Sequence, residues 1–87
     1  MVSKGYKYKI DEYLNGLTIK EYRKAVHLIP QILGVSLNTF QNYRNILIGD
    51  VQDIPYEKVV ILERLFDYPP GTLTNQQPIV DKLKDLF

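Results

Sequence analysis

The run Leu33-Gly34-Val35-Ser36-Leu37-Asn38-Thr39-Phe40 constrains the fold more than any other stretch of this 87-residue chain. Glycine most readily takes positive φ, so Gly34 marks a helix end. Two residues later, Ser36 offers a side-chain oxygen to the unpaired N–H groups of a new helix. Beyond it, Thr39, Phe40, Tyr43 and Ile46 recur at helical spacing and predict an inward face. Two helices must therefore meet across a short turn, which sets them at a steep angle to one another.

The flanks supply the rest of an all-α fold. Ile10, Tyr13, Leu14 and Leu17 predict a short helix closed by Gly16. Thr18 and Glu21 form the Thr-x-x-Glu box that opens a second helix, with Ile19, Tyr22, Val26 and Ile29 facing inward. Pro30 interrupts that helix: inside it, the ring removes a hydrogen bond and meets the carbonyl of Val26, costing ~3 kcal/mol. At the first position of a new helix it costs almost nothing. The expectation is a break near Leu28 and a very short helix from Pro30 to Leu33, with one kinked helix from Ile19 to Leu33 as the alternative.

Downstream, Gly49-Asp50 marks a turn within a loop from Leu47 to Asp53. Pro55 opens a further helix whose core residues are Tyr56, Val59, Leu62, Leu65 and Phe66. Pro69-Pro70-Gly71 ends it and introduces a single turn around Thr72 to Thr74. Pro78 opens a last amphipathic segment with Ile79, Leu83, Leu86 and Phe87 on one side. No stretch alternates cleanly at period two. The fold class expected is all-α, a compact bundle of five to six short helices. Residues 1–9 read as a flexible basic tail, 10–77 as the helical domain, and 78–87 as a C-terminal helix packing on the core or on a partner. Within the tail, Tyr6-Lys7-Tyr8-Lys9 reads either as a disordered terminus or as a basic-aromatic arm that orders on nucleic acid.

Composition narrows the function classes. The chain has no cysteine, which excludes disulfides, thiol catalysis and cysteine-based zinc sites. His27 is the single histidine, and no carboxylates stand near it at ligand spacing. Asp11-Glu12 and Asp50/Asp53 have no partner base, and no glycine-rich phosphate loop is present. The expectations are no enzyme activity, no metal, no cofactor and no small-molecule substrate. No apolar run approaches a membrane span, and the N-terminus has no signal-peptide core, so a soluble cytoplasmic protein without membrane contact is expected. The net charge is +1, unevenly divided. Residues 1–45 hold seven Lys or Arg against three acids, and residues 46–87 hold four against seven. That asymmetry lets one basic face meet phosphates while the remainder stays acidic.

The run from Leu33 to Tyr43 resembles the lambda-repressor-like (Cro and XRE type) helix-turn-helix family, whose corresponding stretch reads roughly Leu-Gly-Val-Ser-x-x-Thr-aliphatic-x-x-Trp/Tyr. Ile54-Pro55-Tyr56-Glu57-Lys58-Val59 through Leu65-Phe66, and Pro70-Gly71-Thr72-Leu73, look like the fourth and fifth helices of that family. The resemblance covers about Leu28 to Asn75 and departs from the family at Pro30, where a small residue is usual. It implies sequence-specific binding of double-stranded DNA by a small transcriptional regulator of phage or mobile-element type. It also implies that Ser36, Leu37, Asn38, Gln41, Asn42 and Asn45 fall where family members meet DNA. The side chains agree in part, since Asn and Gln can bond adenine bidentately and Leu37 can touch a thymine methyl. Arg44, Lys20, Arg23 and Lys24 are the candidates for phosphate contact, which positions a domain without reading sequence. The alternative is a protein–protein interaction module on the same scaffold without DNA binding, favoured by the near-neutral charge and the acidic second half. Besides double-stranded DNA, the partner considered is a second copy of the chain, joined through the C-terminal helix on a palindromic site.

Overall fold

The computed structural model describes residues 5–87. Among them lie four α-helices and no strands: α1 (Ile10–Asn15), α2 (Ile19–Leu33), α3 (Leu37–Arg44) and α4 (Tyr56–Leu65), followed by a 3-10 turn at Leu83–Leu86. The number is smaller than five or six for three local reasons. Pro30 does not divide α2, the chain at Thr72–Thr74 is not helical, and the C-terminal segment forms only that four-residue turn.

α2 begins as its cap dictates. The Glu21 N–H donates to Thr18 Oγ1 at 3.1 Å and the Thr18 N–H donates back to Glu21 Oε1 at 3.0 Å. These bonds, the backbone one first, hold the Glu21 carboxyl below its usual range. The expected break near Leu28 is absent, and α2 runs through Pro30 as one helix. Pro30 sits buried in the last turn, where it leaves the Val26 carbonyl without its helical donor. Its own carbonyl is put to use. Gly34, at φ 71°, donates to the Gln31 carbonyl, and Val35 donates to the Pro30 carbonyl at 3.0 Å. This is the paired C-terminal closure that a left-handed residue permits. Lys58 of α4 adds its Nζ to the Leu33 carbonyl at 2.9 Å. α3 then starts one residue after Ser36, whose Oγ accepts the Thr39 N–H at 3.0 Å. The pair α2 and α3 is packed across this three-residue turn.

The core is built from Ile10 and Leu14 of α1, Ile29 and Leu33 of α2, Phe40 of α3 and Leu62 of α4, with Tyr8, Ile46, Ile54, Phe66 and Leu73 from the connections. Three residues expected inside are outside: Ile19, Tyr56 and Leu65 are exposed. Ile19 is the first residue of α2 and Tyr56 the first of α4, where helical spacing holds but no neighbouring helix lies over them. Tyr68, hard to place by periodicity, meets Tyr13 and Phe66 edge-on, while Tyr13 and Phe66 stack at 4.1 Å.

The two ends of the chain reverse their expected roles. Residues 1–4 of the supposed tail lie outside the described residues, but 5–9 are no tail. Tyr6 bridges Leu47 and Tyr8 bridges Thr74, both antiparallel. The Lys7 N–H donates to the Ile46 carbonyl, the Ile48 N–H to Gly5, the Lys9 N–H to Leu73 and the Asn75 N–H to Lys7, all within 2.9 Å. Tyr8 is buried, and its hydroxyl donates to Asp53, whose other oxygen takes the Lys7 ammonium at 2.9 Å. By contrast, residues 75–87 are all exposed, including the apolar side chains of Ile79, Val80, Leu83, Leu86 and Phe87. No helix among the described residues is long and apolar enough to cross a membrane.

Candidate functional site

The turn between α2 and α3 decides which side of α3 faces solvent. Phe40 is fully buried and Tyr43 half-buried, which rotates the opposite side outward. Asn38, Asn42 and Asn45 are exposed, and Gln41 is half-buried beside them. At i, i+3, i+4 and i+7 these four carboxamides lie on one stripe of the helix. Ser36 and Leu37 are exposed at its N-terminal end. The six residues nominated for base contact therefore share one surface. It carries no charged side chain of its own.

Arg44 belongs elsewhere. Its Nε donates to Asp11 at 2.6 Å, its Nη1 to Gln41 Oε1 at 3.1 Å and its Nη2 to the Tyr22 hydroxyl at 2.9 Å. Only 12% of the side chain is exposed. The guanidinium thus ties α1, α2 and α3 together, in place of the phosphate contact expected of it. Three of the five N–H donors of its fork meet acceptors, one from each of the three helices. With Gln41 Oε1 held by Arg44, the amide's NH₂ group makes no hydrogen bond among the described residues. Asp11 and Tyr22 escaped the sequence reading because their role appears only when three helices converge. The acid–arginine spacing of 33 residues gives no local signal.

Lys20, Arg23 and Lys24 behave differently. All three are exposed on the solvent face of α2, with His27 one turn further along. None makes an ion pair among the described residues. The acids of the following loop are occupied. Asp50 accepts the Leu47 N–H at 2.9 Å, and Asp53 takes Tyr8, Lys7 and its neighbour's Ile54 N–H. Burial alone would raise the Asp53 pKa, but those donors outweigh it and hold the carboxyl below its ordinary value. Burial, then the facing Asp53 carboxylate, pushes the Tyr8 hydroxyl well above the ordinary phenol range. A shallow hollow of about 270 Å³ opens beside Asn42, walled by Thr39, Tyr43, Ile46, Gln52 and Asp53.

No three His, Asp or Glu side chains converge as a metal cluster among the described residues. No protein-family model, curated protein or solved structure matches the chain.

Proposed function

We propose that this chain is a sequence-specific duplex-DNA binder of the helix-turn-helix kind, with α3 entering the major groove and α2 crossing the phosphate backbone. The observation that carries the reading is the uncharged stripe of Asn38, Gln41, Asn42 and Asn45 on the exposed side of α3. Exposed helix faces are ordinarily filled with Glu, Lys and Arg, whose helix propensities are better than that of Asn. The three exposed asparagines contribute little to folding and much to hydrogen-bonded recognition, while Gln41, its Oε1 held by Arg44, brings its NH₂ donors alone.

The chemistry of the stripe favours one kind of half-site. Carboxamides bond N6 and N7 of adenine, and Leu37 suits the thymine methyl. Guanine is read chiefly by Arg or Lys, and cytosine by an acid. With Arg44 turned inward, the stripe has none of these, so the half-site is weighted toward A·T pairs. Lys20, Arg23 and Lys24 supply phosphate contacts from α2. Three cation–phosphate contacts correspond to a fall of log K with log salt of slope about −3. The role as a small transcriptional regulator follows from the resemblance to lambda-repressor-like proteins, and no cofactor is required.

The test is selection of bound sequences from random duplexes at low salt, followed by titration of the winners across a salt series. An A·T-weighted consensus with a steep salt dependence is expected. No enrichment, and no binding to any duplex at low salt, overturns the reading. That result would support the protein-interaction alternative, which draws on the net charge of only +1.

A further inference from the structure

We propose that the groove along α4 is a binding site for a small organic cation, an ammonium group on an apolar body, held by the buried carboxylate of Glu63. The groove encloses about 830 Å³, an ordinary volume for a small-molecule site. Tyr56, Val59, Val60 and Glu63 of α4 line it at i, i+3, i+4 and i+7, so a single helix face forms its floor. Tyr68 and Pro70 stand among its other walls. Three residues of the floor are apolar or aromatic, and the fourth ends the row with a charge.

Glu63 is the residue that points to a ligand. It is 5% exposed, the one charged side chain buried among the described residues. The Leu73 N–H donates to its Oε2 at 3.1 Å, and the Tyr68 N–H donates to its backbone carbonyl at 2.8 Å, so carboxylate and helix end are fixed together. Its Oε1 receives no hydrogen bond, and the carboxylate forms no ion pair, among the described residues. No buried side-chain oxygen lacks a partner among those residues, so Oε1 reaches solvent, and the groove is the opening that Glu63 lines. A carboxylate accepts about four hydrogen bonds, and taking one out of water with a single donor is costly until a cation completes it.

The other charges around the groove do not take that place. Lys7 is committed to Asp53 at 2.9 Å, and Asp53 accepts from Tyr8 and from the Ile54 N–H as well. Arg64 is exposed and follows Glu63 directly, about 100° further round the helix, so the two side chains leave α4 in different directions. Glu63 is therefore the acceptor with capacity to spare, and its complement is an N–H cation rather than an anion. Tyr56 and Tyr68 add aromatic rings, whose faces attract organic cations. Val59, Val60 and Pro70 suit the apolar remainder of the ligand. Gln76 and Pro78 also line the groove, but none of the residues from Ile79 to Phe87 does. The proposal does not depend on what α3 binds.

Phenylbutylamine, phenylbutanol and phenylpentanoate share one apolar body and differ in the head group, and they serve as probes. Each is titrated into the full chain, with affinity measured by calorimetry and the site located by NMR shifts. The amine should bind about tenfold or more tighter than the alcohol or the carboxylate, as one charge-assisted hydrogen bond allows, and should shift the methyl signals of Val59 and Val60. Glu63→Gln keeps an oxygen for the Leu73 N–H and loses the charge. It should bring the amine down to the affinity of the alcohol and leave the alcohol unchanged. Equal affinity of amine and alcohol for the wild type overturns the proposal, and that comparison needs no variant to fold. An amine preference that survives Glu63→Gln overturns it too, as do shifts confined to residues outside the groove. Absence of binding by all three probes at about 10 mM overturns it as well.

Discussion

The two ends of this molecule make opposite use of their sequences. Residues 5–9 hold two lysines and two tyrosines in nine-residue company that reads as a solvated tail, yet they are bridged on both sides and bury Tyr8. Residues 79–87 hold five large apolar side chains, and every one of them lies in solvent. The difference lies in what surrounds each segment. The N-terminal stretch finds open backbone at Ile46–Ile48 and Leu73–Asn75, and extended chain can satisfy those N–H and C=O groups where side-chain pattern is silent. The C-terminal stretch has the pattern, but its apolar side chains stay exposed. An apolar stripe states what a segment would bury, and the rest of the chain decides whether there is anything to bury it against.

The largest expected effect separates these ends. Tyr8→Ala removes a buried aromatic ring and the donor to Asp53, and should cost about 3–5 kcal/mol. In a domain of this size that lowers Tm by well over 10 °C. Phe87→Ala should change stability by no more than about 0.5 kcal/mol. Thermal unfolding of both variants checks the contrast, and similar losses from both would break it.

A second contrast sets Arg44 against Lys24. Arg44→Ala leaves the Asp11 carboxylate and the Tyr22 hydroxyl without their partner between three helices, and should cost about 2 kcal/mol in denaturant unfolding. Lys24→Ala should leave stability unchanged within about 0.5 kcal/mol and flatten the salt slope of DNA binding by about one. If Arg44→Ala were as stable as the wild type, its inward network would be incidental.

A smaller effect concerns pH at the N-terminal clamp. Asp53 has a depressed native pKa, so its contribution is full above the ordinary carboxylate value near pH 4 and is lost as pH falls toward the native value. Asp53→Asn should therefore remove part of the acid-side loss of stability. Parallel stability curves for the two proteins from pH 6 to 2.5 would show that the clamp does not titrate with folding.

What was legible in the sequence follows from range. Thr18, Gly34 and Ser36 act on backbone within three residues of themselves, so their helix ends can be read from local chemistry. Phe40 declares itself by spacing from that cap. Pro30 misled because its local penalty omits the packing that opposes it: the ring is buried between Ile29 and Leu33 of the core face of an unbroken α2. The amide stripe of α3 was readable, since one buried aromatic fixes the rotation of an eight-residue helix. The withdrawal of Arg44 was not, because Asp11 and Tyr22 reach it from 33 and 22 residues away. The clamp of Tyr8 on Asp53 spans 45 residues and is hidden for the same reason.

The claim that matters most is that the amide stripe of α3 reads bases. It is tested by titrating the selected duplex and a scrambled duplex of equal length with wild type, Asn38→Ala and Asn42→Ala, after circular dichroism has confirmed that each is folded. The account predicts a loss of about 1–3 kcal/mol for a base-reading position on the selected duplex, relaxed preference there, and unchanged binding to the scrambled one. Equal losses on both duplexes, or no loss on either, would contradict it.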